Sequence, residues 1–339
     1  LNYIVKSENA QYYECGYSCD NAIFLRLGSE KYFITDGRYT TDAKNLIKSD
    51  TLVIEHSNIL QKCKDIIDSS SIKKITFDPK EFSQYEYNIL THKLNRINFK
   101  ASSDFQRIKR AIKSDDEIKL LKKAVKIGKK AFKTFVTDYL KEDKSEEELN
   151  FWLKASLSNF GKYDLSFEPI LAFNDNTSKP HATATKKPLK SGDLVLIDAG
   201  VKYKRYCSDR TRTFNFNENF NIKLKQSFSN SKLQKIYYTV LKSHDKVIRK
   251  IRAGMKANQI DKIARDVIDD AGFGKFFIHS TGHGVGLDIH EYPFISNKSS
   301  MVIEENMVFT IEPGIYIPNE FGVRIEDMVV IKNGRAEVL

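Results

Sequence analysis

Residues 194–214 read LVLIDAGVKYKRYCSDRTRTF. The apolar run 194–199 reads as a buried strand that ends on a carboxylate, Asp198, before Ala-Gly. Taken alone, such an Asp is as readily a turn or capping residue. Eleven residues later Asp209 lies within a second strand-like stretch, 206–214. Residues 200–205 can turn the chain back, so the two strands are expected as antiparallel neighbours with Asp198 and Asp209 facing each other. At a few Å and an effective dielectric of ~20, two carboxylates repel by a few kcal/mol. A shared proton, an arginine or a metal ion must offset that repulsion.

Downstream, residues 279–290 read HSTGHGVGLDIH and hold three of the chain's seven histidines. The interspersed glycines interrupt any helix, and no Glu follows His279, so the helical zinc-protease pattern fails. Glycine on both sides of His283 implies backbone packed close to a neighbour. Glu312 ends the apolar stretch 307–311. Glu326 lies in the strand-like stretch 323–331, where alternation puts it on one face with Arg324. Each has an ordinary structural explanation by itself. Together Asp198, Asp209, His283, Glu312 and Glu326 make an oxygen-rich set for two divalent cations, with Asp209 and Glu326 free to bridge them. Ligand hardness favours Mn²⁺, with Co²⁺, Zn²⁺ or Fe²⁺ as alternatives. Spacing alone points to a metal-dependent hydrolase.

Around these residues the chain alternates helices and strands. Ser114 and Glu117 form a capping box ahead of an apolar stripe at Ile118, Leu121, Ala124, Val125, Gly128, Phe132 and Phe135. Further helices are expected over 145–160, 233–251 and 257–270, with strands at 170–173, 194–199, 206–214, 307–311 and 323–331. This predicts an α+β (mixed α/β) protein whose larger domain, 107–339, has helices covering a largely antiparallel sheet in two similar halves. Residues 1–106 read as a small α/β domain, with strands over 22–27, 31–35 and 72–77 and helices over 39–47 and 81–94.

Composition narrows the classes further. The charge of +11 is mainly Lys, spread through segments such as 119–133 with no recognition motif, so a solvated surface is read and no nucleic-acid partner. No stretch approaches the ~20 apolar residues of a membrane span, and residues 1–6 carry no secretory pattern. Cys15, Cys19, Cys63 and Cys207 form neither a disulfide scaffold nor a complete metal motif, which suits small buried hydrophobes in a reducing cytoplasm.

In the stretches IDAG, SDRTRTF, GHGVGLDIHE, IEPG and VRIED the chain resembles the pita-bread metallopeptidases, the family of methionine aminopeptidase, aminopeptidase P and prolidase. The resemblance covers roughly residues 107–339 and assigns the metal ligands to Asp198, Asp209, His283, Glu312 and Glu326. His181, His279, His290 and Arg324 resemble the proline-directed branch, and YFITDGRYT at 32–40 resembles the creatinase-type N-terminal domain. The segment 12–21, with Cys15 and Cys19, departs from that domain's Gly- and Thr-rich pattern. The resemblance implies a cytoplasmic homodimer that removes the N-terminal residue from peptides with proline second, through a metal-bridging hydroxide. Glu312 would be the proton shuttle, His181 and His290 would bond the peptide, His279 would line the proline side, and Arg324 would hold a carboxylate. A Xaa-Pro dipeptidase (prolidase), a methionine-type aminopeptidase and a non-catalytic binding module of the same fold are the alternatives, in that order.

Overall fold

In the strands Asn2–Val5 and Ala22–Leu27, successive residues are buried on both faces, which requires cover on each side of their sheet. The computed structural model describes residues 1–48 and 50–339. Contacts divide it into two units, Leu1–Lys109 and Arg110–Leu339. In the first, six strands run in the order Thr51–Glu55, Glu30–Thr35, Ala22–Leu27, Asn2–Val5, Lys74–Phe77 and Asn98–Ala101. The middle three pair antiparallel and the outer ones join parallel. Ile4, Ile23, Leu25 and Ile34 pack on one face with Cys63 and Ile67 of the helix Ile59–Ser69. Val5, Phe24 and Phe33 pack on the other with Cys15, Cys19 and Ala43. All four cysteines are buried free thiols, and burial pushes Cys15 up to about 11, as suits small core hydrophobes.

The second unit repeats one arrangement twice. Its first helix, Asp115–Thr134, carries the expected Ser114–Glu117 capping box. That helix and Glu146–Leu157 bury Phe132, Leu149 and Leu153 against the antiparallel strands Ile170–Phe173, Leu194–Asp198 and Thr211–Asn215. The helices Ser231–Lys250 and Ala257–Asp270 likewise bury Ile236, Val240, Ile260 and Ala264 against a five-stranded sheet. Its order is Glu291–Ile295, Gly282–Gly284, Val308–Ile311, Asp327–Lys332 and Arg335–Val338, antiparallel throughout. This is the two-half pita-bread architecture.

Two expected strands are broken, and both breaks hold a carboxylate. The stretch 206–214 divides into Tyr206–Cys207, paired with Lys202–Tyr203, and Thr211–Asn215, paired with Leu194–Asp198. Asp209 is therefore between strands rather than inside one, and the register puts Thr211 opposite Asp198. The stretch 323–331 divides at Ile325 and Glu326, because Phe321–Arg324 pairs with Gly314–Ile317 while Asp327–Lys332 pairs with Val308–Ile311. Burial continues through both breaks, so the apolar pattern gave no sign of them. The Glu326 N–H donates to the Thr211 carbonyl at 3.2 Å, joining one break to the strand that follows the other.

The first break is possible because Gly200 has no side chain. A Cβ there would lie 1.8 Å from the Ser208 carbonyl oxygen, which is backbone and cannot swing aside. Gly200→Ala should therefore destabilise the fold by about 3 kcal/mol. An unchanged urea midpoint would show that this crossing can relax.

Candidate metal centre

Each candidate carboxylate stands where a strand ends or breaks. Asp198 closes the strand Leu194–Asp198, Glu312 follows Val308–Ile311, and Asp209 and Glu326 occupy the two breaks. His283 is the middle residue of Gly282–Gly284. A Cβ at Gly282 would meet the Thr310 carbonyl oxygen at 1.9 Å, and one at Gly284 the Tyr292 carbonyl oxygen at 2.2 Å. The flanking glycines thus let the short strand carrying His283 press between its neighbours.

One ligand atom each of Asp209, His283 and Glu326 lie within 4.8 Å of one another. His283 Nε2 is 3.6 Å from Asp209 Oδ2 and 3.3 Å from Glu312 Oε1. Its other nitrogen, Nδ1, is 3.1 Å from the Gly284 carbonyl oxygen. A carbonyl can only accept, so Nδ1 carries the hydrogen and Nε2 presents a lone pair. Burial lowers the pKa of His283, keeping the ring neutral. A neutral imidazole lone pair then faces two carboxylate oxygens, an arrangement that a cation among them, or a proton on one of them, makes favourable.

The carboxylates give the same answer. Burial first, and then Glu326, Asp198 and Glu312, hold Asp209 well above the usual carboxylate range. Burial, then Glu312 and Asp198, do the same to Glu326, and burial raises Glu312. Asp198 Oδ1 and Asp209 Oδ1 are buried without a hydrogen-bond partner among the described residues. Orphaned oxygens beside a lone pair fit a set of metal ligands.

Arg324 ties this set together. Its Nη2 donates to Asp198 Oδ2 at 2.7 Å, its Nε to Thr211 Oγ1 at 3.0 Å and its Nη1 to the Tyr316 hydroxyl at 2.8 Å. Thr211 passes its own hydrogen to Glu326 Oε2 at 2.7 Å. Tyr316 donates to His279 Nε2 at 2.9 Å, whose Nδ1 donates to the Ser280 carbonyl at 2.8 Å. One guanidinium therefore orients two carboxylates and an imidazole. Thr211 and Tyr316 were missed from sequence, since a lone hydroxyl in a strand does not show its partners. The one signal for Tyr316 was glycine: a Cβ at Gly314 or Gly322 would strike its side chain at 2.5 or 2.6 Å.

The five candidate ligands, His279 and Arg324 line a cavity of about 600 Å³. His181 and His290 are exposed in its wall, and the His290 ring lies 4.3 Å from that of His283, edge to face. Phe167, Pro169, Ile170 and Phe294 make much of the remaining wall. The structure thus brings all nine sequence-derived site residues to one cavity.

A model of metallopeptidase family M24 matches residues 119–333, and one of the creatinase/prolidase N-terminal domain matches residues 2–112. The chain belongs to metallopeptidase family M24. This M24 chain is 34% identical, over 99% of its length and 92% of the relative's, to the uncharacterized peptidase YqhT of Bacillus subtilis (strain 168). It also resembles a Xaa-Pro dipeptidase from Bacillus anthracis, with a TM-score of 0.90 and 31% identity over 99% of this chain and 92% of that one. For an X-Pro aminopeptidase from Thermotoga maritima MSB8 the values are 0.87, 28%, 99% and 94%. Among the described residues no helix is long and apolar enough to cross a membrane.

The raised carboxylates set a pH dependence for the metal-free M24 protein. Folded Asp209 and Glu326 keep protons that the unfolded chain releases near roughly pH 4. The stability they contribute is complete below that pH and is lost as pH rises through their folded values. In thermal melts with chelator, the wild type should lose stability relative to Glu326→Gln between pH 4 and 8. A wild type that gains on the variant over that range would contradict this electrostatic picture.

Proposed function

We propose that this chain is a Xaa-Pro aminopeptidase using two divalent cations, most suitably Mn²⁺. The observation that carries the metal reading is the His283 lone pair turned toward Asp209 and Glu312. Asp198, Asp209, His283, Glu312 and Glu326 would hold the ions, for which their donor set is suited. Such ions, when bound, polarise a carbonyl and bring the pKa of water toward neutrality. The homodimer and the cytoplasm expected from the sequence belong to the same reading.

The chain's own groups account for the remaining chemistry. A bond before proline is a tertiary amide, so it has no N–H to satisfy and its ring needs a shaped apolar wall. Phe167, Pro169, Ile170 and Phe294 supply apolar surface in the cavity. Both ring nitrogens of His279 are engaged, by Tyr316 and by the Ser280 carbonyl, so His279 offers the substrate a fixed ring rather than a hydrogen. Its pKa is lowered by burial, which keeps that ring uncharged beside the proline. Glu312 Oε1, steadied by Thr310 Oγ1 at 3.2 Å, takes the proton of the attacking water and returns it to the proline nitrogen as the C–N bond breaks. His181 and His290 donate to the scissile carbonyl oxygen, each such donor contributing roughly 10²–10³-fold. Arg324 is a positioning residue, acting through Asp198, Thr211 and Tyr316.

The similarity to a Xaa-Pro dipeptidase favours a second reading, cleavage of dipeptides at the same site. Both readings share two expectations. Chelation should abolish turnover and Mn²⁺ restore it, while Asp209→Asn should lose bound metal and at least ~10³-fold in rate, about 4 kcal/mol. Full turnover by protein shown metal-free by elemental analysis would refute the metal assignment. Xaa-Pro peptides should exceed their Xaa-Ala analogues by at least ~10²-fold in kcat/KM. Efficient cleavage of Met-Ala-Ser with Xaa-Pro peptides left intact would instead establish the methionine-type reading.

A further inference from the structure

The turn between the strands Gly282–Gly284 and Glu291–Ile295 carries His290, and it is folded around a carboxylate outside the ligand set. Glu291 is 0% exposed, and its Oε1 accepts the Asp288 N–H at 2.9 Å. Gly286 lets the turn close over that oxygen, since a Cβ there would lie 2.6 Å from it. The Gly286 N–H in turn donates to the Asp288 carbonyl at 3.0 Å. Turn and side chain thus make one wrapped unit, with His290 in the chain between Asp288 and Glu291.

Two cations from the beginning of the same unit meet this turn. Lys113 Nζ lies 3.4 Å from Glu291 Oε2 and donates to the carbonyls of Arg110 and Ala111 at 2.6 and 3.4 Å, which engages its three hydrogens. Arg110 Nη2 donates to Asp288 Oδ2 at 2.6 Å, and its Nε is 3.6 Å from Glu291 Oε1. Both cations are 1% exposed. Apolar side chains of similar volume often fill such a place with no loss of stability, because ions are costly to take out of water. What apolar packing would not supply is direction. These two cations hold the acids on either side of His290, whose ring stands edge to face with that of His283 at 4.3 Å.

We propose that Lys113 and Arg110 are positioning residues, which act through Glu291 and Asp288 to set the His290 ring where it donates to the substrate carbonyl. This rests on the role given to His290 above and adds what holds it there. Neither Lys113 nor Arg110 lines the cavity, so their effect on turnover passes through the turn.

A double-mutant cycle tests this. Removing one charge would leave the other buried and uncompensated, so Lys113→Met is combined with Glu291→Gln, which keeps the shape and the acceptor for Asp288. In Mn²⁺-loaded protein this pair should lower kcat on Ala-Pro-Ala by ~10-fold or more, part of what a donor such as His290 contributes. In the His290→Ala background the same pair should cost less than ~2-fold, because the group it positions is gone. An equal loss in both backgrounds, the mark of a merely structural pair, overturns the proposal, and so does an undiminished kcat in the first. A second readout needs no turnover. In Zn²⁺-loaded protein with isotope-labelled histidine, the His290 ring resonance, identified by its loss in His290→Ala, should move in the paired variant while those of His56 and His92 stay. An unmoved His290 resonance overturns the proposal whatever the peptides show. Should the pair fail to fold, Glu291→Gln alone carries both readouts. Failure of the proline reading shows separately, as loss of the wild type's preference for Xaa-Pro over Xaa-Ala peptides, because the cycle runs on any peptide that is cleaved.

Discussion

Four carboxylates enclosed with a single guanidinium are the constraint around which the catalytic unit is arranged. Asp198, Asp209, Glu312 and Glu326 repel one another across a few Å, and burial removes the water that would screen them. Arg324 relieves part of this through its 2.7 Å bond to Asp198. The rest is relieved by protons in the metal-free protein, which is why Asp209 and Glu326 hold theirs so far above the usual range. Bound metal ions would replace those protons at neutral pH. Metal affinity and carboxylate titration are therefore two descriptions of one electrostatic debt.

Secondary structure serves that cluster by stopping at the right residues. A ladder satisfies backbone groups in pairs, so a side chain inside it points up or down at a fixed spacing. Asp209 and Glu326 escape that spacing because their strands change partners around them. Backbone can approach this closely only where Cβ is missing, at Gly200, Gly282 and Gly284. The glycines near the candidate ligands are thus part of the geometry of this cluster, not loop punctuation.

The meeting of these residues at one cavity was legible in the sequence because four acids and a Gly-flanked His stand out beside apolar stretches. The helices were legible too, through the Ser114–Glu117 box and its stripe of buried residues. The strand breaks were not, because residues on either side of Asp209 and Glu326 are buried or half-buried whether or not they pair. In the first unit the strands Asn2–Val5, Thr51–Glu55 and Asn98–Ala101 and the helices Glu8–Cys15 and Ile59–Ser69 escaped notice. Short elements such as these offer few periods of any pattern. Thr211 and Tyr316 were hard to read for a different reason: their hydroxyls matter through Arg324, Glu326 and His279, partners fixed by tertiary structure.

Buried acids elsewhere in the same unit show what distinguishes the ligand set. Glu291 is fully buried, yet Lys113 and Arg110 lie 3.4 and 3.6 Å away and the Asp288 N–H donates to it at 2.9 Å. Asp261 receives Arg265 at 2.7 Å and both the N–H and hydroxyl of Thr281. Glu146, without a cation, accepts from the Phe173 and Thr185 amides, the Thr185 hydroxyl and Asn176. Burial would raise Asp327, but His244 and Arg212 pull it below the usual range, whereas its chain neighbour Glu326 goes the other way. Two adjacent acids in one fold thus titrate in opposite directions, because protein groups complete the charge of one and leave the other short. Burial alone cannot separate a structural carboxylate from a functional one. What separates them is whether every oxygen already has its partner, and at Asp198 and Asp209 it does not.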